Sequence, residues 1–370
     1  MIHLPFIDGL RALMALWVAS GHAFMDLSGV VDHYRKNQSF CPEQFFKQGF
    51  YAHFAVDVFI VISGFCLMLP VARKPGFTLT GGWRGYLYRR ARRILPPYYC
   101  AILASLALAA LRWKLTTPNI DSWYTLHIDL LPSAFYAHIF LIQNMWDPWA
   151  RAIDGPTWSV ATECQIYLLF PLLILLLWRL FNPVIVIAWL SAVGVGLLFI
   201  TFNGLRSGLS SCAWFAGLFA MGMFAAQWHV LSRNISYRWH FASASIVLLA
   251  STIIAINLFQ WTCFLMCYVD FLVGAAAAFT LAYFSSFAHN EQRGLILELL
   301  EWKQLVAIGS FSYSLYLVHA PLLSFPQALL LKYNATPFVA AFVLGVTLLG
   351  VIFVSRWFYK YIELPCMIKK

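Results

Sequence analysis

The sequence predicts an all-α fold, a polytopic membrane bundle of about ten transmembrane helices with a candidate re-entrant segment. Three observations carry that reading. Of the 370 residues, 61% are hydrophobic and only 11% are charged, whereas soluble domains carry about 25% charged residues. The mean hydropathy is +0.73. The apolar residues also gather into runs of roughly 20, the length a helix needs to cross ~30 Å of hydrocarbon. A chain of this kind needs no large aqueous core, because lipid solvates its outer surface and its helices satisfy their own backbone.

Runs of spanning length occur at 8–27, 51–70, 94–111, 158–180, 183–202, 210–228, 241–259, 262–286, 304–330 and 337–357. An eleventh, "LLPSAFYAHIFLIQNMW" (130–146), opens on a Leu-Pro break and carries His138, which reads as a re-entrant or interfacial piece. Charge arbitrates. With ten spans and a cytoplasmic N-terminus, 17 of the 25 Lys and Arg residues fall inside and 8 outside; an eleventh span would leave 11 inside against 14. The positive-inside bias therefore favours ten spans, both termini cytoplasmic, in a cell (inner) membrane. The first run has no basic segment ahead of it and contains Arg11, so no cleavable signal peptide is expected. No repeat, low-complexity tract or long linker appears, and a single membrane domain over 1–370 is expected. The segments 28–50 and 112–157 are rich in Asp, Asn, Trp, Tyr and His, as a polar cap at the outer surface would be.

The net charge of +10 does not point to nucleic acid, since the basic residues sit in short loops between apolar runs. The eight cysteines show no CxxC pair and no metal-ligand spacing, so no metal is expected. Cys66, Cys100 and Cys164 lie in or beside apolar runs and read as small core residues.

Ionisable residues at membrane depth are costly and mark functional sites. Here they are His22, Asp57, Glu163, Asp270 and His319, all in the outer half under the ten-span topology. Each has a plain structural role open to it: a packed imidazole, a cap, or an anion in a helix's first turn. Their common depth is what an acid–base site would show. In "RALMALWVASGH", Arg11 and His22 are eleven residues apart. On a helix that step turns about 20° past three full turns, so both share a face, roughly 16 Å apart.

A second cluster lies in "WRGYLYRRARRILPPYY", where Arg89, Arg90, Arg92 and Arg93 precede a proline that can open span three. Spacing of three pairs Arg89 with Arg92 and Arg90 with Arg93. Guanidinium suits bidentate phosphate binding, though a positive-inside anchor has the same composition. A donor with phosphates at one end, a long arm and an activated acyl group at the other would bridge these arginines and His22. Coenzyme A thioesters have that shape.

These residues resemble the acyltransferase family 3 membrane proteins, O-acetyltransferases of bacterial polysaccharides and their relatives. The Arg–x10–His opening matches Arg11 and His22. The second signature matches "AVDVFIVISGF", around Asp57, Ser63 and Gly64. An Arg-x-x-Arg before proline matches "RRARRILPPYY", best in the Arg90–Arg93 register. A Trp-Ser…Glu…Tyr…Pro pattern matches Trp158, Ser159, Glu163, Tyr167 and Pro171. "SYSLYLVH" spans Ser312 to His319, and a closing Glu-x-Pro matches Glu363 and Pro365. The resemblance implies an acyl-CoA donor (acetyl-CoA above all), a hydroxyl acceptor on a carbohydrate or lipid-linked glycan, His22 as the catalytic group, and Arg11 with the Arg90–Arg93 pair as functional; Arg89, from the same basic stretch, is expected with them at the donor. The further extracytoplasmic domain of many bacterial members is not expected, since the sequence ends at Lys370.

In the mechanism expected from these residues, neutral His22 takes the acceptor's proton while Glu163, or Asp57, orients the imidazole. Direct attack by His22 to give an acyl-imidazole is the open variant. The rival reading is a proton-coupled secondary transporter, against which stands the lack of paired repeats and matched broken helices. A structural scaffold leaves the common depth of the polar residues unexplained.

Overall fold

The computed structural model describes residues 4–34, 51–115, 131–204, 211–231, 238–258, 263–287 and 294–367. Among these residues every regular element is helical: α1 (Pro5–Tyr34), α2 (His53–Ala72), α3 (Gly82–Leu115), α4 (Leu131–Ile139), α5 (Asp147–Ala152), α6 (Trp158–Leu169), α7 (Leu175–Leu180), α8 (Pro183–Gly204), α9 (Phe215–Leu231), α10 (Arg238–Leu258), α11 (Cys263–Ser285), α12 (Leu295–Leu300), α13 (Lys303–Ser310), α14 (Ser312–Lys332) and α15 (Pro337–Phe358). Among the described residues, eight helical stretches are long and apolar enough to cross a membrane, and the shorter apolar helices at 183–199 and 215–231 bring the candidates to the ten the sequence predicts. The chain is a multi-pass helical membrane protein.

The differences from expectation have local causes. Span three begins a dozen residues early. Pro96 and Pro97 lie inside α3 rather than opening it, so the arginines are helical and their three-residue pairing holds. Span four keeps one axis through a π-helical turn at Phe170–Ile174, between α6 and α7. Pro171 falls in that turn, where its missing N–H breaks the regular ladder. Span nine divides at Phe311, which leaves helical geometry between α13 and α14. Span ten starts cleanly, because Thr336 accepts a hydrogen bond from the Val339 amide and Pro337 takes the first helical position.

The 130–146 run does not span. Its helix α4 has nine residues, about 13 Å of rise. It ends where Leu141 adopts φ 53° and the Ile142 amide returns to the Ala137 carbonyl at 2.9 Å. That is the helix stop in which glycine is usual. The chain then runs along α3: Tyr98 donates to the His138 carbonyl, Tyr99 to the Ile139 carbonyl, and the Gln143 amide to both Tyr98 Oη and the Thr157 carbonyl. His138 is buried and its Nδ1 donates to the Ala134 carbonyl at 2.8 Å; desolvation holds the imidazole down at about 4, so it is neutral. Of the expected polar cap, residues 35–50 and 116–130 lie outside the described residues, as does Cys41. Cys66 and Cys164 are half-buried, but Cys100 is exposed on α3, so it is not the core residue expected.

Backbone packing separates two compact units, each assembled from three stretches of sequence. The first comprises 1–11, 56–88 and 162–307, and the second 12–55, 89–161 and 308–370. Because α1 and α3 each pass from one unit into the other, no linker exists for sequence reading to find. In the first unit α9 packs on α8 and α11, and α10 on α11. There α2 meets α9 through glycines: a Cβ on Gly64 would lie 2.0 Å from the Phe219 carbonyl oxygen, and one on Gly222 2.0 Å from that of Val61. Small residues let membrane helices approach this closely. In the second unit α14 packs on α15, with Val30 of α1 joining Leu330, Leu331, Ala340 and Leu344. The candidate span on α14 is 78% buried, and the one over 337–366 only 22%. One is thus a central helix, and the other presents Phe338, Phe342 and Phe353 outward, as a lipid-facing helix does.

Candidate active site

In the first unit, Arg11 lies in the opening turns of α1. It pairs with Asp8 at 3.2 Å, one turn back on the helix, and its other terminal nitrogen lies 3.4 Å from Cys66 Sγ on α2. Also on α2, Ser63 donates to Glu163 of α6 at 2.5 Å, and Tyr167, one turn along α6, donates to the same carboxylate oxygen. Two hydroxyls thus hold one oxygen of Glu163, tying α2 to α6. Asp57 and Asp270 are both fully buried, and a carboxylate oxygen of each lies within 4.8 Å of the other. Trp214 Nε1 donates to Asp270 at 2.8 Å.

The second unit brings together imidazoles. His22 lies on α1, eleven residues along the same helix from Arg11; the regular helix keeps the two on one face, as the spacing predicts. Its Nδ1 is 2.7 Å from Nε2 of His319 on α14. His319 is fully buried, and its Nδ1 is 2.7 Å from the Tyr316 carbonyl one turn earlier. The Tyr316 hydroxyl donates to the Pro156 carbonyl at 2.8 Å and stands 2.7 Å from Ser159 Oγ. Nearby, Ser314 donates to the buried carboxylate of Glu363 at 2.5 Å, joining the start of α14 to the π-helical turn Tyr359–Glu363.

The arginines of α3 differ in exposure. Arg89, Arg90 and Arg93 are half-buried, while Arg92 is exposed. Arg90 Nε is buried and meets no acceptor among the described residues. A buried donor left without an acceptor costs ~1–3 kcal/mol, and a phosphate oxygen would supply the missing partner.

Sequence reasoning named most of these residues but not their pairing. Ser63 with Glu163 and Tyr167, Ser159 with Tyr316, Ser314 with Glu363, and His22 with His319 each join two separate motifs. Regular spacing could not reveal them, because their partners come from helices up to 297 residues apart. The signal available was chemical: each motif holds one buried acceptor or donor that needs a partner.

The profile of the family described as "Acyltransferase domain" matches residues 4–356. The chain belongs to that family. Members similar to it include the O-acetyltransferase OatA of Staphylococcus aureus (strain NCTC 8325 / PS 47), 25% identical over 396 aligned positions that cover 98% of this chain and 57% of the relative. The peptidoglycan O-acetyltransferase OatA of Listeria monocytogenes serovar 1/2a (strain ATCC BAA-679 / EGD-e) is 24% identical over 354 positions, 87% of this chain and 50% of the relative. The chain thus spans about half the length of the curated relatives it matches. No solved structure matches it. Arg11 and His22 lie here on one unbroken helix, and the segment Ser312 to His319 supplies the histidine that meets His22.

Proposed function

We propose that this chain moves an acyl group, acetyl above all, from acyl-CoA to a hydroxyl of a carbohydrate or lipid-linked glycan. The observation that carries the reading is the arrangement on α1: a guanidinium at Arg11 and, roughly 16 Å along the same face, an imidazole at His22 whose Nδ1 is engaged by His319. Arg90, Arg93 and Arg89 bind the donor's phosphates, and the pantetheine arm carries the thioester towards His22. The names of the similar proteins, both O-acetyltransferases, agree with an acetyl donor and a glycan hydroxyl.

In the step itself, His22 takes the proton of the acceptor hydroxyl as its oxygen attacks the thioester carbonyl. The tetrahedral intermediate then collapses, the C–S bond breaks, and the departing thiolate takes the proton back from the imidazolium to leave as free CoA. Positioned proton transfer of this kind contributes ~10²–10⁴-fold. The partner of His22 in this mechanism is His319 rather than Glu163 or Asp57. Glu163 already accepts from Ser63 and Tyr167, and Asp57 faces Asp270. Those carboxyls hold the first unit together. By the charge bias, the donor comes from the cytoplasm and the acceptor from the outer face.

The test is a transfer assay on the purified chain in proteoliposomes with acetyl-CoA enclosed and a glycan acceptor outside. Free CoA thiol should appear only when acceptor is present. Acceptor flux across the bilayer with no thiol released would instead establish the transporter. Thiol release that needs no acceptor would overturn the proposed reaction.

A further inference from the structure

We propose that His319 is a positioning residue that fixes the tautomer of His22, placing the proton on Nδ1 and the reactive lone pair on Nε2. The inference rests on the acyl-transfer reading for its purpose, but on geometry alone for its content. A main-chain carbonyl can only accept a hydrogen bond. His319 Nδ1, 2.7 Å from the Tyr316 carbonyl, must therefore carry a hydrogen. In the neutral ring the lone pair is then on Nε2. The atom 2.7 Å from that lone pair is His22 Nδ1, which has to be the donor. Neutral His22 keeps its own lone pair on Nε2, so the nitrogen that can take a hydroxyl proton is decided at a backbone carbonyl beyond the second ring.

The ring geometry agrees. The two imidazoles are within 5° of parallel and their centroids are 4.9 Å apart. That separation is close to the nitrogen–nitrogen distance plus one ring diameter, so the rings meet edge to edge in a common plane rather than face to face. Imidazole N–H bonds and lone pairs lie in the ring plane, so the bond is aimed along its axis. The far end is fixed too. The Tyr316 hydroxyl proton goes to the Pro156 carbonyl, leaving Ser159 Oγ to donate to the phenolic oxygen. The residue whose carbonyl sets the chain is thereby pinned at its side chain. A second ring suits an apolar setting. A carboxylate there would be a second charge needing compensation, whereas neutral His319 orients His22 without one and offers its Nε2 lone pair to the imidazolium that forms.

The Nδ1–H tautomer is the minor form of histidine free in water, so its presence is diagnostic. The experiment is long-range ¹H–¹⁵N correlation on histidine-labelled protein in nanodiscs above neutral pH, with His22 assigned from the signals lost in His22→Asn. His22 should show a protonated Nδ1 and an unprotonated Nε2 in the wild type. His319→Phe keeps a ring of similar size but removes the acceptor, and should shift His22 towards the Nε2–H form. His319→Gln, whose amide oxygen can accept, should retain Nδ1–H. In the transfer assay His319→Phe should lower kcat about 100-fold with donor KM unchanged, and His319→Gln should recover part of it. An Nε2–H His22 in the wild type would overturn the proposal, and this needs no variant to fold. So would an unaltered His22 tautomer in His319→Phe. If the tautomer is as stated but His22→Ala still transfers acyl groups, the positioning role stands and the catalytic reading falls.

Discussion

The first unit buries carboxyls and the second buries imidazoles. Glu163 receives two hydroxyl donors, Ser63 and Tyr167, and Asp57 and Asp270 face one another beside Trp214. Every one of these contacts ends on the carboxyl itself. In the second unit, the chain of contacts runs from His22 to His319 to the Tyr316 carbonyl, with an imidazole in the middle that can donate on one side and accept on the other. The first arrangement holds helices; the second gives a direction to a proton. Ionisable groups of like burial need not share a role. What separates them is whether the network stops at the group or passes through it.

That contrast breaks most sharply at His22. His22→Ala should abolish acyl transfer, a loss of at least ~100-fold, with expression and membrane insertion unchanged. An insertion assay alongside acetyl-transfer rates checks both. Next in size is the donor site. Arg90→Glu should raise the KM for acyl-CoA by about 10–100-fold, the worth of a charge-assisted bond of ~1.5–3 kcal/mol, and leave the acceptor KM nearly as it was. Unchanged donor affinity in an inserted protein would remove Arg90 from the phosphates.

In the first unit the larger effects should fall on stability. Gly64→Ala places a methyl against the Phe219 carbonyl and should cost ~1–3 kcal/mol, seen as a lower Tm in detergent. The smallest effect is a pH dependence in the second unit. Asp154 is buried and accepts from Ser105 at 3.1 Å; desolvation lifts its pKa from the ordinary carboxylate value of 3.8 to about 7. The folded state therefore binds a proton that the unfolded state has released between those values, and stability declines as pH rises through that window. Asp154→Asn should raise Tm at pH 8 and have little effect at pH 3.5. An equal shift at both would show that Asp154 does not titrate there.

Much of this was legible in the sequence. The ten apolar stretches, the Arg11–His22 face and the pairing of arginines three apart follow from length and helical period, which act within one helix. The order in which helices interrupt themselves was less so. Pro96 and Pro97 signal a helix opening by local rule, yet α3 runs through them, because neighbouring packing in a bundle tolerates what an isolated helix would not. The division into two units was not legible, since it is drawn through the middle of α1 and α3. Nor were the pairings: His319 was visible as an intramembrane histidine, but nothing local to residue 319 names residue 22 as its partner. The weighting of Glu163 as the orienting carboxylate came from the habit of catalytic imidazoles to face carboxylates. The contacts of Ser63 and Tyr167 explain why it is bound elsewhere.

The most direct measurement sets the two units against each other in one assay. Acetyl-transfer rates of His22→Gln and Glu163→Gln, each normalised to inserted protein, separate a network that moves a proton from one that holds helices. The account predicts that His22→Gln loses at least ~100-fold, while Glu163→Gln, whose amide can still accept from Ser63 and Tyr167, keeps the larger part of its rate. A Glu163→Gln protein as inactive as His22→Gln, with its fold intact, would put the proton chemistry in the first unit and contradict the account.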